Sequence, residues 1–380
     1  MNYKVLIIVV MLFLLVGCWN IEESDRLDYV HGIGIDYEDG KIKIYLQIVN
    51  LGNLGTPDVA STGENQVTIA HASAEDINSA VFEIYRSAQM RLYWGHTTFI
   101  IISEAALEHN KLKEVLDLVN RYPETRYRIR IFATKSKITE LMEVSPIFQG
   151  SPIFTRLTDL NNAHEQSSWM MPLTNRELLI ALDEPGHNGI IPTVHIAENT
   201  WQTEKEPDPM VEALGVASVS ADQFHGFILG NDANGLRWVQ KKSERGKVTI
   251  FKDEKPASSV VIMNPKTKFN VDVDGDNVTF HAKFKAKGII NEMLQDVDQQ
   301  FIIKELKKQI KKEIMQTYRR GLEIDTDIYR LSETLYRKDL KTWKKIEKDG
   351  KIPLDEKSLQ IEVNLDLIDS KLNKTEPIIE

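Results

Sequence analysis

The sequence predicts an α+β fold: mixed sheets flanked by helices, in two to three small domains, with long helices and a final strand in the C-terminal half. Three observations predict it. Strand-like and helix-like periodicities alternate through the first 200 residues, which points to α/β-type units rather than an all-β sandwich. A hairpin of strict period-two alternation surrounds Gly275-Asp276-Asn277. The longest helical pattern, about Asp298 to Arg320, then precedes a last alternating segment from Leu359 to Leu367. At 380 residues and 42% hydrophobic composition, the chain can bury more than one core.

The chain starts with a segment of a different kind. Val5 to Val16 is unbroken and apolar, preceded by Lys4 and followed by Gly17 and Cys18. That run falls short of the roughly 20 residues a spanning helix needs. Its layout is that of a secretory signal peptide, here 1–17, cut immediately before a cysteine. Leu15-Val-Gly-Cys18 looks like a bacterial lipobox, and Cys18 is the sole cysteine. On this reading Cys18 carries an S-diacylglycerol and an N-acyl chain, and more than one chain makes anchoring stable. The competing expectation is an uncleaved anchor with a free thiol, which requires no small residues before the cysteine.

Residues 18–28 form a polar, acidic tether. Val30 to Asp36 reads as a strand, Tyr37-Glu-Asp-Gly40 as a turn, and Lys41 to Val49 as its returning partner. Asn50 to Asn65, rich in Gly, Thr, Ser and Asn, is expected to be an exposed loop. Ser73 to Met90 has helical spacing, with Ser73 as its cap. Thr98 to Ile102 is a buried strand, Ala105 to Asn120 a second amphipathic helix, and Arg128 to Ala133 another strand. Residues 134–174 read as short helices and loops, Arg176 to Leu182 as helix and Ile190 to Ile196 as strand. The domains expected are 29–200, of α/β type, and 210–374, of α+β type. The polar, proline-containing stretch 201–209 is the linker between them. In the second, Ala213 to Ser220 and Phe224 to Leu229 begin a sheet that Val260 to Met263 and Lys268 to Gly288 extend. A second helical stretch runs from Ile328 to Lys348 with Trp343 inward.

Charge and motifs narrow the function. The net charge is -9, and loss of residues 1–17 removes Lys4 and makes it -10. An acidic body argues against binding nucleic acid or an anionic membrane surface through general electrostatics. The chain has no P-loop, and Gly32-Ile-Gly34 lacks the third glycine of a dinucleotide site. It has neither a Gly-x-Ser-x-Gly elbow nor a His-Glu-x-x-His pair. Asp272, Asp274 and Asp276 miss the calcium-loop pattern, because Gly275 comes early and Lys283 stands where a glutamate is needed. The basic run Lys304, Lys307, Lys308, Lys311 and Lys312, with Glu305 and Glu313 interspersed, reads as a solvated helix face. No catalytic residue, cofactor or metal site is expected. His96, next to Trp94 and Gly95, is the best single candidate for a functional histidine. Together with Trp94, Arg121, Glu124 and Arg126 it makes the set of fold or interface candidates.

Several short segments, in order, carry a family resemblance. They are Gly17-Cys18-Trp19-Asn20, Val30-His-Gly-Ile-Gly-Ile-Asp36, Arg91-Leu-Tyr-Trp-Gly-His96 and Asn120-Arg-Tyr-Pro-Glu-Thr-Arg126. Gly226, Gly235-Leu-Arg-Trp238, Asp327-Ile-Tyr329 and Trp343 follow in the second half. Through them the chain resembles the Ger(x)C family of spore germination lipoproteins, the C subunits of germinant receptors, over nearly its whole length. Asn20 stands where the family commonly has an acidic residue, and Arg330-Leu-Ser332 is less glycine-rich than usual.

The resemblance implies a non-enzymatic, lipid-anchored subunit on the outer face of the cell membrane (the spore inner membrane). It would act with an A subunit and a multi-spanning B subunit in nutrient-triggered germination. The alternative is a solute-binding lipoprotein of an ABC importer, a class usually built from two doubly wound lobes around a cleft.

Overall fold

The computed structural model describes residues 27–49, 67–122, 124–125, 128–144, 155–158, 161–169, 171–204, 206–275 and 277–368. The signal segment, Cys18, Arg126 and the expected loop 50–65 lie outside the described residues.

Strand β1 (Leu27–Glu38) sits in the middle of a nine-stranded sheet. Its sequence explains the position, because Val30, Ile33 and Ile35 are wholly or nearly wholly buried. Asp39 and Gly40 turn the chain with positive φ (52° and 77°), as a tight Asp-Gly hairpin requires. β2 (Lys41–Val49) returns antiparallel, and β3 (Val67–Ala74) pairs with β2 as the sheet edge. On its other side β1 pairs in parallel with the short β4 (Arg91–Tyr93) and with β5 (Phe99–Ser103). The path continues through β6 (Arg130–Thr134), β7 (Gly189–Ala197), β8 (Met210–Val219) and β9 (Phe224–Leu229).

Gly32 has a packing role. A Cβ there would lie 2.1 Å from the Phe99 ring, so the glycine lets a buried phenylalanine cross the strand.

Helices cover both faces of this sheet. α1 (Ile77–Tyr85), α2 (Glu104–Glu108) and α3 (Leu112–Arg121) pack on one core with Ile33, Ile100 and Ile131. α4 (Ile138–Glu143) packs on the other with Phe99, Ile101 and Phe132. α5 (Asn161–Gln166) follows, then α6 (Asn175–Asp183), which opens with a Thr174/Glu177 capping box.

The second lobe is a four-stranded sheet, β10 (Arg245–Lys252), β11 (Lys255–Asp274), β12 (Asn277–Met293) and β13 (Leu359–Ile368), in that spatial order. The first three strands are antiparallel and β13 runs parallel to β12. After the one-turn α7 (Leu236–Val239), the long α8 (Gln299–Glu323) starts at Asp298, whose side chain accepts from the Phe301 N–H at 2.6 Å. α8 seats Ile302, Leu306, Ile310, Ile314 and Tyr318 in the core with Phe280 and Phe284. α9 (Leu331–Lys338) and α10 (Leu340–Ile346) close the lobe. Among the described residues no helix is long and apolar enough to cross a membrane.

Two sheets with flanking helices give the mixed α+β architecture expected, with four local differences. The helix expected from Ser73 to Met90 spans only Ile77–Tyr85. Ser73 lies in β3, and Asp76 caps α1 by accepting from the Ser79 N–H at 3.0 Å. The helix expected at Ala105 to Asn120 is broken at Asn110 (φ 55°), a residue that tolerates the left-handed region. The helical stretch 328–348 divides at Asp339, whose φ of -143° is extended and which caps α10. Most consequentially, β8 and β9 do not belong with β11 and β12. They extend the first sheet, so 198–209 joins two neighbouring antiparallel strands of one sheet. Strand patterns show which face is buried and carry no record of the partner.

Candidate functional site

The Arg91–His96 segment places the sequence-predicted residues beside the start of β1, where Leu27, Asp28 and Tyr29 pair with Arg91, Leu92 and Tyr93. Trp94 is buried there. Its indole stacks on Tyr122 at 4.7 Å, and its Nε1–H donates to the Tyr85 hydroxyl at 2.9 Å. Burial pushes the Tyr122 phenol well above its usual range. Glu124 joins this corner, pairing with Arg91 at 3.3 Å and accepting from the Trp94 N–H at 3.5 Å. His96 is exposed and meets Tyr29 edge-on at 5.0 Å. Arg121 turns elsewhere, pairing with Asp117 one helical turn back at 2.5 Å. Trp94 and Glu124 therefore make contact, with His96 two residues after Trp94 on the same corner, and Arg121 does not join them. Cys18 and Arg126 lie outside the described residues.

A second constellation, which the periodicity did not single out, lies between the lobes. The loop after α6 supplies Glu184, Gly186, His187 and Asn188; the turn after α8 supplies Thr326, Asp327 and Arg330, and α9 supplies Glu333. Arg337 bridges the Glu184 and Glu333 carboxylates, the latter at 2.8 Å, and Arg330 pairs with Glu333 too. Those arginines hold the Glu184 carboxyl below the usual carboxylate range, with Arg337 the larger influence.

Burial, then Arg330, pushes His187 down to about 4. Glu184, His187 and Glu333 offer ligand atoms within 4.8 Å of one another, but both carboxylates are already neutralised by arginine. Asp327 is fully enclosed. Its N–H donates to Asn188 Oδ1 at 3.3 Å, and its Oδ2 accepts from the Ser332 N–H at 2.6 Å. Burial raises its carboxyl to about 6. Thr326 donates to Ser218 of β8 at 2.8 Å, a further bond between the lobes.

Inside the second lobe, Glu313 is buried rather than part of the solvated helix face expected. It accepts from Trp238 Nε1 at 2.6 Å, Arg237 at 2.9 Å and Gln309 at 2.9 Å. The Arg237 guanidinium lies over Trp238 at 4.4 Å. Gly235 is required for this approach, because a Cβ would sit 2.6 Å from the Glu313 carbonyl oxygen. A signal for Glu313 was present, since it stands three residues after Ile310 and seven after Leu306, on the apolar stripe.

An open groove of about 540 Å³ runs between the lobes. Glu104 and Glu108, just after β5, and Lys135, just after β6, face Phe227, Asp232 and Arg320 across it. The chain leaves β5 towards one face of the sheet and β6 towards the other, an arrangement at which open α/β sheets commonly bind ligands. Lys135 pairs with Glu104 at 2.9 Å and lies 5.0 Å from the Phe227 ring centre.

Comparison with known proteins also divides the chain in two, with the second part starting inside β8 of the first sheet. Residues 20–196 match the family described as spore germination protein N-terminal domain, and 215–370 match spore germination B3/GerAC like, C-terminal. Spore germination protein KC of Bacillus subtilis (strain 168) is 24% identical over 367 residues, covering 90% of each chain. Spore germination protein B3 of the same organism is 21% identical, over 74% of this chain and 72% of its own. The crystal structure of the GerBC protein superposes with a TM-score of 0.56 at 15% identity, over 92% of this chain and all of the other. With both domain models matched in order along most of its length, the chain belongs to the Ger(x)C family of spore germination proteins.

Proposed function

We propose that this protein is the lipid-anchored, non-enzymatic C subunit of a germinant receptor, held by acylated Cys18 to the outer face of the membrane. There it works with an A subunit and a multi-spanning B subunit. The observation that carries the reading is the match of both germination domains in order, placed directly behind Leu15-Val-Gly-Cys18. Eight residues separate Cys18 from Leu27, a span of about 30 Å when extended, so the first sheet stays close to the bilayer. A non-catalytic role fits the junction, where the Glu184 and Glu333 carboxylates are committed to arginines.

Cys18→Ala tests it. Membrane retention and germination response are expected to fall together, and a normal response from unacylated protein would sink the proposal. Solubilised spore membranes should yield a transporter-like protein and a second membrane subunit with the tagged chain.

The groove at the ends of β5 and β6 favours a second reading, solute capture for an ABC importer. Only the first lobe has a parallel core with helices on both faces, which weighs against that class. Co-purification of a permease and ATPase, or tight solute binding by the ectodomain, would favour it.

A further inference from the structure

Along residues 266–274 of β11 and the facing part of β12, the second sheet shows one face to the core under α8 and the other to solvent. On the solvent face, Lys266 and Lys268 of β11 and Lys283, Lys285 and Lys287 of β12 are all exposed, while Ala282, Phe284 and Ala286 between them point into the core. The register places Lys266 directly opposite Lys285 and Lys268 directly opposite Lys283. Like charges in directly opposed positions destabilise a sheet, so the fold itself gains nothing from this arrangement. Four carboxylates share this face: Asp272 and Asp274 towards the hairpin end of β11, where Asp272 meets His281 at 3.7 Å, and two on β13. Glu362 of β13 lies opposite Lys283 with a 3.9 Å contact, and Asp366 lies opposite Lys287. Lys285 faces Asn364. Among the described residues, Lys266, Lys268 and Lys285 have no carboxylate partner within 4.0 Å. Such a cluster on a chain of net charge -9 runs against the average of the molecule.

We propose that this five-lysine sheet face is a docking surface for an anionic lipid bilayer. Charge complementarity selects an anion, and composition selects a bilayer over a protein. Protein interfaces are depleted in lysine and anchored by Trp, Tyr and Arg, and β11, β12 and β13 contain none of those three. Lysines at alternate strand positions stand about 7 Å apart. They form a flat array of mobile charges suited to many headgroups rather than to one pocket. Basic residues close to an acidic leaflet act additively within a Debye length. An acyl anchor plus a polybasic face is a recognised two-part means of membrane attachment. Here the face would fix which side of the second lobe lies on the bilayer. That setting rests on the anchored reading above.

The test separates the two. The chain from Trp19 to Glu380 retains every described residue and carries no acyl group, so its vesicle binding is independent of Cys18. Sedimentation with mixed phosphatidylcholine–phosphatidylglycerol vesicles is expected to recover it at low salt and release it at high salt. Pure phosphatidylcholine should not bind it. Lys266→Gln and Lys285→Gln are each expected to weaken binding about fivefold, with unchanged or higher Tm because the opposed pair is relieved. Lys311→Gln/Lys312→Gln, which removes exposed charge from α8, should leave binding as it was. Equal loss in that control, no binding to anionic vesicles, or equal binding to neutral ones would overturn the proposal. So would lysine-dependent retention of an acidic protein without vesicle binding, which would make the face a protein interface. Acylation is read separately, from the mass of the Cys18 peptide.

Discussion

The corner at the start of β1 and the network around Glu313 use the same chemistry, a tryptophan, an arginine and a glutamate, under opposite conditions. At the corner, Trp94 is buried while Arg91 and Glu124 reach water, so packing carries the stability and the ion pair adds little. In the second lobe, Trp238 and Glu313 are both enclosed and Arg237 nearly so. There the carboxylate stabilises only by satisfying every donor aimed at it, and losing it strands a guanidinium out of water. The comparison teaches that solvent, rather than residue identity, sets what a salt bridge is worth.

The contrast can be broken most sharply at Glu313. Glu313→Ala is expected to cost about 3–5 kcal/mol in urea unfolding, as removal of one partner of a buried pair does. A loss below about 1 kcal/mol would show that water reaches the network and would erase the distinction.

The junction gives the next largest effect, through pH. Asp327 titrates near 6 in the fold against 3.8 when unfolded, because burial disfavours its charge. The folded state therefore holds this proton more tightly, and the stabilisation is present below the lower value and lost as pH rises through the upper one. The Ser332, Leu331 and Tyr329 N–H groups and the Glu333 carboxylate face the carboxyl. Wild type should lose up to about 3 kcal/mol relative to Asp327→Asn across that window. Parallel pH profiles for the two proteins would assign the sensitivity elsewhere. The smallest effect belongs to the corner, where Glu124→Ala should cost less than about 1 kcal/mol and progressively less as salt is added. A salt-insensitive loss would mean that its bond to the Trp94 N–H matters more than its charge.

Much of the architecture could be read from the chain. The hairpin at Gly275 and the strand Leu359–Ile368 alternate cleanly because one face is buried and the other wet, and α8 announces itself through its stripe and the Asp298 cap. Trp94, Glu124 and Arg121 were legible only as a set of fold or interface candidates, since sequence does not reveal that Trp94 and Glu124 would meet or that Asp117 would take the Arg121 guanidinium. The sheet membership of β8 and β9 was illegible because a period of two is the same whichever strand is the neighbour. The junction was harder still. Glu184 and Asp327 are 143 positions apart, and nothing local in Asp327-Ile-Tyr329 says that Asn188 will meet it. Glu313 alone could have been found, by trusting its helical phase over its charge.

The place of β1 in the first sheet has a mechanical consequence. Leu27 begins a central strand, bonded to β2 on one side and to β4 and β5 on the other. Tension applied through the residues before Leu27 would run along β1 and load those ladders in shear, many bonds sharing the force at once. An edge strand such as β3 would instead peel bond by bond. Whatever pulls on this chain from its N-terminal side therefore pulls on its most resistant element.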